Sequence, residues 1–149
     1  MIEYQLLEGM PSGDSLVHLN QINQEVFGSG NIHIDLANEL QGKQKIFLCL
    51  AFKEGVPVGF KLGYKERPHY FESWLGGVSN SARRQGIAQE LMRRQHEWCR
   101  EQGFRIVTTI ADNQNVAMLI LNLQNGFELV GTMLDRGKHM KLFLQKWLV

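Results

Sequence analysis

The stretch VSNSARRQGIAQELM, from Val78 to Met92, is the most informative part of this chain. An apolar strand ends there, a polar turn follows, and an amphipathic helix begins near Arg84. The first backbone N–H groups of a helix have no intrahelical acceptor, and the helix dipole adds partial positive charge at the same end. The stretch therefore predicts a site for a diphosphate group.

Two kinds of side chain in this turn support that prediction. Gly86 and Ala88 carry no bulky group, so a ligand can approach the backbone amides closely. Arg83 and Arg84 can donate charge-assisted hydrogen bonds to phosphate oxygens. An ordinary basic helix N-terminus has the same composition, and these residues alone leave both interpretations open.

Outward from this stretch, hydrophobic periodicity and turn residues predict the element order β-α-α-β-β-β-α-β-α-β-β. The predicted strands span residues 2–7, 46–52, 56–64, 70–78, 106–111, 127–133 and 140–148. The predicted helices run from a cap at Ser12 or Asp14 to Phe27, from a cap at Asn31 to Gly42, from about Arg84 to Gln102, and from Asn115 to Asn125. This order favours an α/β sandwich built on a mixed sheet.

Composition limits the classes of function. The chain has 149 residues, 44% of them hydrophobic, which predicts one domain over residues 1–149. Its formal charge of +1 provides no broad field for nucleic acid or an anionic membrane, and no apolar run approaches membrane-spanning length. Cys49 and Cys99 lack metal-ligand spacing, and no secretory leader is evident, so we expect reduced thiols, a cytoplasmic location and no metal.

The spacing of Arg83, Gly86 and Ala88 resembles the acyl-CoA signature of the GNAT superfamily of N-acyltransferases. In that signature Gln or Arg is followed by two residues, Gly, one residue, and then Gly or Ala. A second motif is also similar, since Asn115 opens a helix that ends at Gly126-Phe127. By itself a capped helix with a terminal glycine explains that second motif. Both motifs lie on matching elements, and the resemblance extends over essentially the whole chain.

The resemblance implies a mixed, mostly antiparallel sheet that splays between strands 4 and 5 and is flanked by about four helices. It implies an N-acetyltransferase that moves an acetyl group from acetyl-CoA to a primary amine of a small molecule or peptide, by direct attack in a ternary complex. The residues expected to bind the cosubstrate are Gly77, Val78, Arg83, Arg84, Gln85, Gly86, Ile87, Ala88 and Asn115.

Glu72 is the candidate general base, because an ammonium must lose its proton before it attacks. Relatives often carry a Glu on this strand. Strand alternation predicts that Glu72 shares a face with Trp74 and Gly76, and the paired glycines Gly76 and Gly77 suit a bulge or a simple twist. A half-exposed Glu that balances a nearby Lys is the alternative, and His69 is the second choice of base.

Asn122 occupies the position at which many relatives have a Tyr that protonates the CoA thiolate. An amide is no acid at neutral pH, although its NH₂ group can hydrogen-bond to the sulfur. Solvent, Tyr64 or Tyr70 can substitute, and the loss of an acid at this step costs about 10²-fold in rate.

Two alternatives to an active enzyme remain. An acyl-CoA-binding or sensor module with little or no catalysis is favoured by Asn122, whereas an interaction domain without cofactor is disfavoured by the phosphate loop. No motif identifies the amine, whose site we expect between the first two helices and a loop at residues 65–69. The final strands can exchange or pair across a homodimer.

Overall fold

The structure is a computed structural model that describes residues 1–28 and 35–148. Its helices are α1 (Gly13–Phe27), α2 (Leu36–Glu39), α3 (Ile87–Glu101) and α4 (Val116–Gln124), with a 3₁₀ turn at Asn80–Ala82. Its strands are β1 (Ile2–Glu8), β2 (Gln44–Lys53), β3 (Val56–Arg67), β4 (Tyr70–Val78), β5 (Ile106–Asp112), β6 (Glu128–Leu134) and β7 (Met140–Trp147). The predicted element order is therefore confirmed within the described residues.

These strands form one seven-stranded sheet in the order β1-β2-β3-β4-β5-β7-β6. Every neighbouring pair is antiparallel except β4 and β5, which are parallel. The helix α3 connects these two strands, as a parallel crossover requires. The predicted mixed and mostly antiparallel sheet is confirmed.

The hairpins hold the first four strands in register. Glu54 and Gly55 both have positive φ, of 52° and 78°, as the tight turn between β2 and β3 requires. The predicted loop at residues 65–69 is wrong, since β3 continues to Arg67 and leaves only Pro68 and His69 in the turn. Cross-strand pairing of Arg67 with Tyr70 explains this extension.

The sheet separates two apolar cores. On one face, α1 and α2 pack over β2 and β3 through nine buried residues: Leu19, Ile22, Leu36, Leu40, Ile46, Leu48, Leu50, Phe60 and Leu62. On the other face, α3 contributes Ile87, Leu91, Met92, Trp98 and Cys99 to a core that includes Phe47, Cys49 and Phe71. Both cysteines are buried and free.

For α1, the structure selects one of the two predicted cap residues. Ser12 caps α1, and its N–H donates to the Ser15 hydroxyl at 3.2 Å. The predicted cap at Asn31 lies outside the described residues. Helix α2 has Asp35 as its cap, and the carboxylate accepts the N–H of Asn38 at 3.2 Å. None of the helices described is long and apolar enough to cross a membrane.

Candidate functional site

A cavity of about 470 Å³ lies beside the end of β4 and the start of α3. It is lined by Val26, Phe27, Phe60, Lys61, Gly76, Gly77, Val78, Ala82, Arg83, Arg84, Gly86, Ile87, Ala88, Gln89, Leu91, Asn115, Ala117, Met118 and Leu121. We call it the cofactor cavity. Because Val26 belongs to the α1 face and Leu91 to the α3 face, the cavity reaches both faces of the sheet.

The loop before α3 has the geometry of an anion site. Arg84 and Gly86 have positive φ, of 62° and 75°, a conformation that no helix interior adopts. For this reason α3 begins at Ile87, and the predicted start near Arg84 is wrong by about one turn. The first helical hydrogen bond is donated by Glu90 to the Gly86 carbonyl at 3.0 Å. The preceding amides of the first turn therefore have no intrahelical acceptor.

Most residues predicted to bind the cosubstrate line this cavity: Gly77, Val78, Arg83, Arg84, Gly86, Ile87, Ala88 and Asn115. Gln85 is not among its lining residues. Asn115 also caps α4, since its carboxamide oxygen accepts the N–H of Met118 at 3.3 Å. Asn115 thus both caps α4 and lines the cofactor cavity.

The strands β4 and β5 separate at this cavity. They pair only from Tyr70 with Ile106 to Ser73 with Thr109. Beyond Ser73, β4 continues to Val78 with β3 on one side and no β5 partner on the other. The backbone groups that face the opening are therefore available to a ligand.

A β-bulge in β4 modifies the predicted faces. Leu62 pairs with Leu75 while Gly63 pairs with Ser73, which leaves Trp74 as the extra residue. Glu72 and Trp74 do share a face, since Glu72 pairs with Tyr64 and the Trp74 ring lies 5.9 Å from the Tyr64 ring.

Gly76 does not lie on that face, and this part of the prediction is wrong because the bulge reverses the alternation. A Cβ on Gly76 would meet Lys61, whereas a Cβ on Gly77 would collide with Val26 of α1. Of the two alternatives for the paired glycines, a bulge or a simple twist, a bulge does occur in β4, but at Trp74, two residues before Gly76. Both glycines make room for side chains that line the cofactor cavity.

A second cavity, of about 770 Å³, is lined by Glu72 and by neighbouring residues of β3 and β5. Its lining comes from separate segments of the chain: Gly42, Lys43, Gln44, Tyr64, Lys65, Glu66, Arg67, Pro68, Glu72, Thr108, Thr109, Ile110, Val130, Phe143, Leu144 and Gln145. We call it the acceptor cavity. Cations and carboxylates alternate along its β3 wall, from Lys65 to Arg67.

Glu72 lines the acceptor cavity, where a neighbouring strand orients its carboxylate. Its carboxylate accepts a short hydrogen bond from the Thr108 hydroxyl on β5. Burial raises the pKa of Glu72 to about 7, and the Glu66 carboxylate adds to this shift. The Thr108 hydrogen bond and the Lys43 ammonium oppose it without cancelling it. A carboxylate with this pKa can accept a proton near neutral pH.

The other acid and base candidates are less well placed. His69 is exposed in the β3–β4 turn and lines neither cavity, and its carbonyl accepts the N–H groups of Arg105 and Ile106. Tyr70 packs under the Arg67 guanidinium, 3.9 Å from the ring centre, and also lines neither cavity. Tyr64 lines the acceptor cavity, where burial raises its pKa.

Asn122 is 2% exposed and is not among the lining residues of either cavity. Its backbone carbonyl accepts the N–H of Phe127 at 3.0 Å, which closes the end of α4. Asn122 is thus a buried residue of α4 that lines neither cavity.

Sequence reasoning missed Thr108, Lys43 and Lys61. Thr108 and Lys43 carry no local signal, because they reach Glu72 only through sheet pairing and chain reversal. Lys61 did carry a local signal, because it is a single cation inside the apolar run from Val56 to Tyr64. No group of three His, Cys, Asp or Glu side chains that could hold a metal is found among residues 1–28 and 35–148.

The family model described as "Acetyltransferase (GNAT) family" matches residues 14–127. No curated protein sequence matches the chain. Among solved structures, the ribosomal-protein-S18-alanine N-acetyltransferase from Escherichia coli has a TM-score of 0.80 at 11% identity, over 97% of this chain and 94% of that one.

Two further structures are similar over 99% of both chains. The IAA acetyltransferase from Bacillus cereus ATCC 14579 has a TM-score of 0.76 at 14% identity. The PaiA N-acetyltransferase from Thermoplasma acidophilum, in complex with coenzyme A, has a TM-score of 0.74 at 16% identity. At these identities the similarity shows a shared fold.

Proposed function

This chain belongs to the GNAT acetyltransferase family, and from this premise we propose that it is an N-acetyltransferase. Its cosubstrate is acetyl-CoA, and its acceptor is a primary amine of a small molecule or peptide. The observation that carries the proposal is the position of Glu72 and the Arg83–Ala88 loop on either side of the opening between β4 and β5. One can hold a proton near neutral pH, and the other can bind a diphosphate.

The cosubstrate is held chiefly by backbone groups. Its diphosphate accepts hydrogen bonds from the amides of the Arg83–Ala88 loop, and the guanidinium groups of Arg83 and Arg84 add charge. Its pantetheine arm follows the unpaired edge of β4 from Trp74 to Val78. An N–H group of this edge can also polarise the thioester oxygen as negative charge develops there.

The amine enters through the acceptor cavity, whose volume of about 770 Å³ suits a small molecule or a side chain of a peptide. Glu72 accepts a proton from the ammonium, directly or through a water, and the free amine attacks the carbonyl carbon in the ternary complex. Thr108 orients the carboxylate by its hydrogen bond. Glu66 and Glu72 can pair with an ammonium of the acceptor, while Lys43, Lys65 and Arg67 of the same lining can pair with an anionic group.

A second function is supported by one observation. The position at which many relatives have a Tyr is Asn122, and that residue is buried away from both cavities. A chain without a thiolate acid can bind acyl-CoA as a sensor and turn it over slowly or not at all. The two functions differ in whether an amine accelerates the release of free CoA.

The deciding experiment combines two measurements on the full chain. Calorimetry with CoA and acetyl-CoA tests the cofactor cavity. A thiol-release assay with acetyl-CoA and a panel of polyamines, aminoglycosides, amino acids and peptides tests transfer. We expect CoA to bind and at least one amine to raise thiol release above the rate of hydrolysis. Binding without amine-dependent release would favour the sensor, and no binding at all would contradict both functions.

A homodimer formed through the last strands is part of the same proposal. β6 lies at the edge of the sheet and exposes apolar side chains at Leu129, Val130, Met133 and Leu134. Light scattering of the chain and of a Leu134→Lys variant tests this assembly. A monomeric wild type would contradict it.

A further inference from the structure

Lys61 is a buried cation that has no counter-ion within residues 1–28 and 35–148. It lies in the middle of β3 and is 8% exposed. Among the described residues it makes no hydrogen bond and no ion pair. Burial of an unpaired ammonium is costly, and such groups in a cavity often have a chemical role.

The surroundings of Lys61 direct it into the cofactor cavity. Lys61 pairs with Gly76 across β3 and β4, and both residues line that cavity. A Cβ on Gly76 would lie 2.9 Å from the Lys61 Cδ atom and 3.5 Å from its Nζ atom. The absence of a side chain at Gly76 therefore provides the space in which the lysine lies.

The order of groups along β4 locates Lys61 relative to the reaction. The Arg83–Ala88 loop follows the end of β4, Gly76 lies further back along the strand, and Glu72 lies beyond Gly76. A thioester runs in the same order, from diphosphate through the pantetheine arm to sulfur and then to the carbonyl carbon. Its sulfur thus lies on the Lys61 side, and its carbonyl carbon lies toward Glu72.

The reaction requires a proton donor beside the thioester sulfur. When the C–S bond breaks, the sulfur takes the bonding electron pair and becomes a thiolate, whose conjugate acid has a pKa of about 8.5 in water. Asn122 has no proton to give at neutral pH, and Tyr64 lines the acceptor cavity and not the cofactor cavity. Within the described residues, Lys61 is the ammonium that lines the cofactor cavity.

We propose that Lys61 is a catalytic residue that donates its proton to the departing CoA thiolate, an inference that rests on the proposed function. The amine nitrogen, already freed of one proton by Glu72, forms the new bond to the carbonyl carbon and releases its remaining excess proton to solvent. The C–S bond breaks, and the Lys61 ammonium transfers one proton to the sulfur. The neutral amine of Lys61 then regains a proton from solvent through the open cavity.

The charges around Lys61 suit this role. Burial lowers the pKa of Lys61 to about 8, close to that of the thiol that it protonates. From β2, Cys49 shares its face, and burial raises the pKa of that thiol to about 11. From α3, His96 is neutral, because burial and the nearby Lys146 and Lys61 lower its pKa to about 3.

The remaining charged groups of the cavity are cations. Arg83 and Arg84 line the cavity together with Lys61. Lys146 does not line it, and its Nζ atom contacts His96 Nδ1 at 3.2 Å. No described carboxylate lines this cavity. The ammonium of Lys61 is therefore free to pair with an anion that the cosubstrate brings or forms.

The first test is the pH dependence of turnover in Lys61→Met, with Lys53→Met as a matched control on β2 of the same sheet. In the wild type, kcat should fall as pH rises through about 8, because Lys61 loses its proton. Lys61→Met should lower kcat by about tenfold or more near pH 7, with little change in the KM of the amine, and should lose this alkaline limb. Since it removes an unpaired buried charge, its melting temperature should not fall.

The second test does not depend on turnover. The pKa of the CoA thiol bound to the full chain is measured by ultraviolet difference absorbance of the thiolate, with desulfo-CoA as the blank. Because an adjacent ammonium stabilises the thiolate, this pKa should be lower by about one unit in the wild type than in Lys61→Met. Cys49 and Cys99 are present in every sample, so any absorbance from their thiolates cancels in the difference.

The outcomes separate this inference from the proposed function. Equal thiol pKa values in wild type and Lys61→Met would overturn the inference, as would a wild-type pH profile of kcat in the variant. A Lys61-dependent thiol pKa in a chain that acetylates no amine would support the contact with sulfur and contradict the enzyme. Acetylation of Lys61 by acetyl-CoA alone, seen by intact mass, would overturn the inference by showing a nucleophile in place of an acid.

Discussion

The cofactor cavity and the acceptor cavity are built in different ways. The cofactor cavity takes most of its lining from two short segments, residues 76–89 and 115–121, and its proposed anion site consists of backbone amides. The acceptor cavity takes single side chains from distant strands, and its proposed chemistry depends on the carboxylate of Glu72. A backbone site is lost when bulk is added, whereas a side-chain site is lost when one functional group is removed.

The largest effect is expected for Gly86→Glu. A carboxylate at this position occupies the anion site and repels the diphosphate, so CoA binding should fall below detection by calorimetry. The matched control is Gly103→Glu at the other end of α3. Both glycines have positive φ, of 75° and 86°, and neither has a neighbour within 4 Å of an added Cβ. Both variants should lose similar stability, and only Gly86→Glu should lose CoA. Unchanged CoA affinity in Gly86→Glu would contradict the anion site.

A smaller loss is expected when the acceptor cavity loses its base. Glu72→Gln keeps the shape and the hydrogen bond to Thr108 but cannot accept a proton, so kcat/KM should fall by about 10² near neutral pH. The loss should shrink at high pH, where solution supplies free amine. Glu66→Gln, which removes the neighbouring carboxylate of the same cavity, should cost less than about tenfold. A wild-type rate for Glu72→Gln at every pH would remove Glu72 from the mechanism.

The pKa of Glu72 also predicts a change in stability. Its pKa rises from an ordinary value of 4.5 to about 7 on folding, so the folded chain holds a proton that the unfolded chain has lost. This difference in proton binding lowers the free energy of unfolding of the wild type progressively as pH rises from about 4.5 to 7. Glu72→Gln should therefore be more stable than the wild type at pH 8, by on the order of 2 kcal/mol, and no more stable near pH 4. Urea unfolding at both pH values measures this difference, and equal stability at pH 8 would contradict the raised pKa.

The smallest effect on rate is expected for Asn122→Tyr. Because Asn122 is buried and lines neither cavity, a larger side chain there should overpack α4 and lower the free energy of unfolding by about 1–3 kcal/mol. Its kcat should rise by less than about tenfold if Lys61 protonates the thiolate as we propose. A larger rise would show that the wild type lacks an acid, which would favour the weakly catalytic sensor.

The sequence predicted the cofactor cavity better than the acceptor cavity for a physical reason. The anion site at Arg83–Ala88 is made of consecutive residues, and a turn followed by a helix start is a local structure that neighbouring residues determine. Even there the helix start was placed about one turn early, because positive φ at Arg84 is not evident from the residue type. The strand bounds of β4 were predicted correctly, since Pro68 and the polar turn after Val78 delimit it.

The faces of β4 were predicted only in part. Alternation placed Glu72, Trp74 and Gly76 together, and one extra residue at Trp74 moved Gly76 to the opposite face. A bulge arises from how two strands pair, and the residues of one strand do not specify it. That single register shift brings Gly76 against Lys61.

Periodicity and contiguous backbone are enough to predict the order of elements, the strand that carries Glu72 and the loop proposed to bind an anion. Which groups meet depends on the folded sheet. Thr108 reaches Glu72 from 36 residues away only because β4 and β5 are parallel neighbours. Lys61 enters the cofactor cavity only because Gly76 lies opposite it in the sheet. Proton chemistry depends on burial and on neighbours across strands, and both are properties of the assembled sheet.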